Sequence, residues 1–480
     1  MRALPLSLLL LALPAAAGDG PAPLTLENAV NLALERNRDL ARSRTLLGRT
    51  QMGLRVAEAE FSFSFRPEGT AGAGDSESRV QYGLAATRAF RTGTEVQLRG
   101  SAGIREPQDD DETTETDAET SSTADTLYNG RATIQVTQPV FRNFGRLVNE
   151  EGIATARDNL RSARRALEQE TASTLLSVTE TFVTCIRLER QIAADEAFLA
   201  RMGQLLTLTA TRERQGKATR VDRMRVDLQK GQAGTRLTQS RERLLQVRLD
   251  LAELTGQDAS TLPALTPPPE FRIELPDPAQ AVAVAYSNRL DYAQAIDNHT
   301  RAQRLSQITR RSLWPDLAIV SRYGKNDEGP SASDALNFEE DEWFVGLAAG
   351  RELNPARERA QLASAEVDVD ATLQSVRISE VRIARLVRQR ISGYRTALAE
   401  VDIAQENLNL ARRRTDLARR LFKAGRGDAF SVSDSEDALQ SAEVAWIDAQ
   451  AALVVAGFRL MNEMGSLHAV PDDLKPKGAP

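Results

Sequence analysis

The chain has 480 residues, with 61 basic and 67 acidic side chains and a net charge of −6. That near-balance argues against nucleic acid as a main partner, and a single cysteine, Cys185, excludes an internal disulfide framework. Charged residues at 27% with only 5% aromatic suit long solvated helices better than one compact core.

The first eighteen residues, MRALPLSLLLLALPAAAG, hold one arginine, an apolar run from Leu4 to Leu13 and small residues at 15–17. This is the pattern of a secretory signal peptide over residues 1–17, cleaved after Ala17. The run is too short to span a bilayer, and no cysteine near the cleavage site offers a lipid attachment point. Beyond it no apolar stretch approaches the ~20 residues of a transmembrane helix, so export without a helical anchor is expected.

Leu26 to about Glu60 reads as one helix. The apolar period then falls from 3.5 to 2. FSFSF (Phe61 to Phe65) alternates, as do Val80–Ala86, Val96–Ala102 and Ala132–Val136, and in the second half Trp343–Ala349 after a shorter strand near Leu317 to Tyr323. Such alternation marks half-buried strands or the strands of a membrane barrel. Two strands are expected from the second half, and two or four from the first. Between them EPQDDDETTETDAETSSTAD (Glu106 to Asp125) has nine acidic residues and no basic one. It reads as a solvated loop over 105–127, with divalent-cation contact as the weaker alternative.

From Phe141 a helical pattern runs 75 residues to Gly216, roughly 110 Å at ~1.5 Å per residue. RQGKATRVD (Arg214 to Asp222) interrupts it, and the return, Thr219 to Gly256, is only half as long. The first helix supplies the missing half. One long helix beside two shorter ones stacked end to end is therefore expected.

The second half repeats this. KAGRGDAFS (Lys423 to Ser431) breaks another long helix at Gly425, 209 residues after Gly216, and Gly256 and Gly465 are separated by the same 209. LENAVNLALERNRDL (Leu26 to Leu40) resembles PAQAVAVAYSNRLDY (Pro278 to Tyr292) at an offset of 252, so the first half carries 43 extra residues. The chain reads as one unit used twice. The signal peptide is followed by a first repeat (18–262), a Pro-rich linker (263–278), a second repeat (279–467) and a tail (468–480). On the second long helix Val401, Ala404, Leu408, Ala411, Ala418 and Phe422 form a heptad seam with Thr415 in the missing position, and Ile403, Leu410 and Leu417 form a second stripe. Two stripes suit a helix with neighbours on both sides.

The turns have their own chemistry. Gly216 and Gly425 are the natural residues for φ > 0 at the end of a descending helix. Thr219 and Asp428 suit the N-caps of the ascending ones. Two histidines, His299 and His468, and one cysteine give no metal cluster and no nucleophile–base arrangement. No catalytic residue, metal or cofactor is expected.

At this point the chain resembles the outer membrane efflux protein family, the TolC-like channels, over about Leu24 to Leu467. The resemblance rests on the duplicated helix–strand–strand–helix order, on TQPVFRNFG (Thr137 to Gly145) at a strand-to-helix junction, and on the turns GKATRVDRMRVD and GRGDAFSVSDSEDAL. There are departures. GRELNPAR (Gly350 to Arg357) lacks the QP-aromatic form, Asp428 stands where the first turn has Thr219, and Ser431 where it has Asp222. The resemblance implies a mainly α protein with a small β part. Duplicated coiled-coil hairpins would form a trans-periplasmic α-barrel, topped by a transmembrane β-barrel built from several subunits. It implies a homotrimer in the outer membrane, bathed in its lipid and reaching into the periplasm. A periplasmic adaptor (membrane fusion) protein and an inner membrane transporter would be partners in efflux or type I secretion. Gly216, Thr219, Asp222, Gly425 and Asp428 would form the adaptor-facing tips, Ser431 and Asp434 a pore constriction, and Pro139, Phe141 and Gly145 the strand-to-helix junction. A periplasmic coiled-coil adaptor, or a structural protein of the envelope, is the alternative reading.

Overall fold

The computed structural model describes residues 23–74, 77–107, 126–258, 262–268 and 272–467. The signal peptide, most of the acidic run and the tail 468–480 lie outside the described residues. The protein is mostly helical with one antiparallel sheet, as the change of period predicts. Its compact units are not the sequence repeats. One unit takes the chain up to Ala41 with residues 169–288 and from Ile383 on; the other takes 42–168 and 289–382. Each contains parts of both repeats.

In the first unit, helix α1 (Leu26–Arg36) stops at Asn37, where the next helix α2 (Arg38–Ala59) begins. A single helix from Leu26 to about Glu60 is thus corrected. The Asn37 carboxamide oxygen accepts from the N–H groups of Asp39 and Leu40, at 2.9 and 3.2 Å, capping α2. The second repeat breaks at the equivalent place, between α6 (Pro278–Asn288) and α7 (Leu290–Arg311). Each break receives the end of an ascending helix. Gly256, past the end of α5 (Arg220–Thr255), would drive an added Cβ to 2.9 Å from the Arg36 Cβ. Gly465, past α9 (Ala429–Glu463), would drive one to 3.0 Å from Asn288. The matched glycines therefore mark close approaches as well as helix ends, which their spacing alone did not reveal.

The core of this unit joins α1, α5, α9 and the long helix α4 (Glu151–Arg214) around Leu175, Val178, Phe182, Leu251 and Phe458, all nearly inaccessible. Burying each such side chain contributes about 1.5–3 kcal/mol. The linker is anchored. Leu24 bridges Leu265, and the Tyr394 hydroxyl, on the second long helix α8 (Ala356–Lys423), accepts from the Ile273 N–H at 2.7 Å. α9 is long and apolar enough to cross a membrane by length and composition, which the sequence reading missed. Here it sends Leu439, Ile447, Leu453, Phe458 and Leu460 into packing.

Among the described residues the second unit holds six strands: β1 (Ser64–Ala73), β2 (Glu77–Ala89), β3 (Glu95–Pro107), β4 (Leu127–Pro139), β5 (Asp316–Gly329) and β6 (Glu340–Gly350). They form one antiparallel sheet in sequence order. The first repeat thus supplies four strands and the second two. β1 starts three residues later than FSFSF suggests, because the N–H groups of Phe61 and Ser62 still bond back to Glu58 and Ala59. The additional hairpin turns at RTGT, where Phe90 N–H donates to Thr94 O at 2.8 Å and Gly93 has φ +92°. The long helix begins at a short turn, α3 (Arg146–Asn149), rather than at Phe141. Arg304 of α7 holds that helix by pairing with Glu151 at 2.8 Å and Asp158 at 2.7 Å.

Candidate functional site

Two regions are set apart by their chemistry: the hairpin turns of the first unit and the sheet of the second.

At the first turn Gly216 has φ +72°, and the Lys217 N–H donates to Arg212 O at 2.8 Å, the six-to-one bond of a Schellman ending. The second turn repeats this with Gly425 at φ +75° and Arg426 N–H on Leu421 O at 3.0 Å. Lys217 and Arg426 thus serve these ends through their backbone N–H groups. Thr219 and Asp222 form a reciprocal capping box. The Thr219 side chain accepts from Asp222 N–H at 3.1 Å, and the Asp222 carboxylate accepts from Thr219 N–H at 3.0 Å. In the second turn Asp428 accepts from Ser431 N–H at 2.9 Å, and the serine has no carboxylate to return the bond. Hydrogen bonding from Ser431, side chain and backbone, holds the Asp428 carboxyl below the usual carboxylate range.

Asp434 is 49% exposed and accepts from the Arg414 guanidinium across the hairpin. It is an ion pair, not a free carboxylate. The sequence reading named Asp434 without this partner, because Arg414 lies 20 residues earlier on the facing helix.

Just above lies a buried polar layer the sequence reading also missed. Glu436, 2% exposed, lies between Arg201 of α4 and Arg419 of α8. The Arg201 Nε sits 2.8 Å from the carboxylate, a charge contact without hydrogen-bond alignment. Thr415 fills its heptad gap by donating to Ser435 O at 2.8 Å. Deeper still, buried Asp195 accepts from Ser240 at 2.9 Å and Gln440 at 2.7 Å, joining α4, α5 and α9. The available signal was positional: Val432, Glu436, Leu439 and Gln440 share the buried stripe of α9.

The two apolar stripes of α8 separate. Val401, Ala404, Leu408 and Phe422 are buried, whereas Ile403, Leu410 and Leu417 are 59, 54 and 59% exposed.

In the sheet, the register places Phe65, Leu84, Leu98, Ile134, Tyr323 and Trp343 on one face, and Arg66, Gln97, Arg99, Thr133 and Gln135 on the other. Trp343 is 76% exposed, and from Leu317 to Tyr323 on β5 its face is apolar apart from Ser321. The band ends at Lys325, paired with Asp341 at 3.2 Å. Phe63, Phe90, Phe141, Phe144 and Trp314 are exposed where strands meet helices. Tyr323 and Trp343 face each other within the strands instead of at their ends, and Phe344 lies on the opposite face. At the junction, Pro139 closes β4, Phe141 is exposed, and Gly145 has φ +91° with its N–H on Thr92 O at 2.9 Å.

Residues 282–466, nearly all of the second repeat, match the sequence model of the outer membrane efflux protein family. Over those residues the chain is similar to that family. Three solved outer membrane proteins share the fold of this chain. VceC from Vibrio cholerae is 15% identical with a TM-score of 0.70, covering 92% of this chain and 96% of its own. CmeC from Campylobacter jejuni is 12% identical with a TM-score of 0.68, covering 93% of this chain and 87% of its own. The open state of MtrE from Neisseria gonorrhoeae is 13% identical with a TM-score of 0.67, covering 93% and 90%. No curated protein sequence matches this chain significantly.

Proposed function

We propose that this protein is the outer membrane conduit of a tripartite efflux or type I secretion assembly. It is a passive channel from periplasm to exterior that docks on a periplasmic adaptor and an inner membrane pump. The observation that carries the reading is the sheet: one face apolar and exposed, the other polar, with an exposed aromatic set where strands meet helices. In water such a face would be a severe aggregation hazard; in lipid it is the required surface. The exposed stripe Ile403, Leu410 and Leu417 supports self-assembly, because a second helix must cover it. Family members assemble as trimers that dock on adaptors and pumps, and we assign this chain the same homotrimeric state.

The tips suit an acidic docking surface. Residues 212–230 and 412–436 hold fourteen basic and seven acidic side chains, in a chain whose net charge is −6. Gly216, Thr219, Asp222, Gly425 and Asp428 fix the turns that present them. Ser431 and Asp434 line the constriction in this reading, with the Arg414 partner holding that ring near neutrality. A periplasmic adaptor or an envelope structural protein would not need six strands with a lipid-compatible face. The test is reconstitution: detergent-extracted protein should migrate as a trimer and conduct ions in a planar bilayer. A stable monomer without conductance would sink the reading.

A further inference from the structure

Resting on the conduit reading, we infer that each copy contributes six strands, and that β1 of one copy pairs with β6 of its neighbour to close an eighteen-stranded barrel. The sheet order runs β1 to β6 without a crossover, so β1 and β6 are its two edges. Within hydrocarbon an open edge is not tolerated, because its N–H and C=O groups have no water to bond. Six strands are too few to close alone, since the smallest membrane barrels have eight. The edges must therefore meet the edges of other copies.

Their geometry fits that use. β1 has 10 residues and β6 has 11, the length of a membrane-crossing strand. β1 leaves the helical end of the sheet and β6 returns to it, so the new pair is antiparallel like the other five. The apolar face is continuous to both edges, ending in Phe65 on β1 and in Trp343, Val345 and Leu347 on β6. Pro67 in β1 lacks an N–H, so β1 has one ladder donor fewer than its neighbours. The β1–β2 hairpin belongs to the barrel wall, since β2 is paired to β3 over thirteen residues.

The consequence is size. With strands about 4.8 Å apart and tilted about 40°, eighteen strands enclose a backbone diameter of about 36 Å, against about 24 Å for four strands per copy. Side chains cannot fill the wider ring, so the outer mouth is a standing aqueous pore able to pass bulky cargo. Selection then falls to the periplasmic constriction.

Two measurements test this on the full-length protein. The first counts strands in an electron cryomicroscopy map of the detergent-purified trimer, where eighteen are expected. The second is oxidation by copper phenanthroline of variants pairing Glu68→Cys on β1 with Glu340→Cys, Glu342→Cys or Phe344→Cys on β6. At least one pair should give an interchain trimer ladder, with Arg99→Cys on β3 as the control that should not link to β6. Native Cys185 is buried and stays silent. A trimer with twelve strands, or one in which β3 rather than β1 links to β6, overturns the inference and leaves the conduit reading standing. Absence of any trimer overturns both.

Discussion

Glu436 offers the sharpest test of how the hairpin tips are held. It is almost wholly inaccessible and lies between two guanidiniums from different helices, Arg201 on α4 and Arg419 on α8. Replacing it with alanine leaves two cations facing each other over a cavity, with Glu443, 3.8 Å from Arg201, as the nearby counter-charge. Removing one member of such a buried group costs about 3–5 kcal/mol. Val432 and Ala429 pack beside Phe198 and Met202 near this point, so the start of α9 should loosen from α4. The readout is amide hydrogen exchange on the assembled protein. Local opening over Val432–Gln440 becomes cheaper by that amount, so exchange there accelerates by about two to four orders of magnitude. Amides of the sheet should be unmoved. Because much of the penalty is the stranded charge, the triple variant Arg201→Met, Arg419→Met, Glu436→Leu should recover most of the protection. Unchanged exchange in Glu436→Ala would show that the network carries no local stability and refute this reasoning.

Four further outcomes follow from named contacts. Arg414→Gln should free the Asp434 carboxylate and strengthen block by divalent cations, while Asp434→Asn should cost under about 1 kcal/mol of stability because the pair is half exposed; planar-bilayer recording and thermal melting read the two effects separately. Thr219→Ala should destabilise the first turn of α5 by about 1 kcal/mol, seen as faster exchange at Asp222. Asp428 has a lowered folded pKa, so its cap stabilises above the unfolded value near ~3.9 and is lost as pH falls through the folded one; exchange at Ser431 should rise below about pH 4, and Asp428→Asn should remove that dependence. Burial, and next the Glu189 charge, push the Cys185 thiol up to about 12, so a thiol reagent at pH 8 should label the protein only after unfolding.

The helical architecture was legible because its signals are local. A glycine with φ > 0, a Thr or Asp three residues later and a heptad stripe each act within one or two turns, and both hairpin turns carry all three. Strand alternation was equally readable, although the number of strands in the first repeat was not. Nothing in RTGT distinguishes a hairpin inside the sheet from one outside it until β2 and β3 are seen paired. The break at Asn37 was missed because its cause is partly tertiary: its carboxamide also donates to Leu254 O at 3.3 Å, on the last turn of α5. Arg414, Arg201 and Arg419 were missed for the same reason. Each meets its carboxylate on another helix, and a single sequence contains no record of which helix face is opposite.

The two repeats have diverged unequally, and the physics of each part explains where. From Gly216 to Gly256 and from Gly425 to Gly465 the spacing is identical, with the C-terminal glycine of each wedged against a helix break. Inserting one residue there would turn everything beyond it by about 100° and move it by 1.5 Å. An insertion early in α9 would take Glu436 from Arg201, Gln440 from Asp195 and Gly465 from Asn288. The sheet imposes a weaker rule. A pair of strands can be added or removed as a hairpin, since the chain then still re-enters the helices at the same end and the apolar face keeps its side. Only an odd number is forbidden, because it would leave the chain at the wrong end of the sheet. The additional β-hairpin of the first repeat therefore lies where the architecture is indifferent to length, and on the proposed conduit reading it changes only the width of the outer mouth.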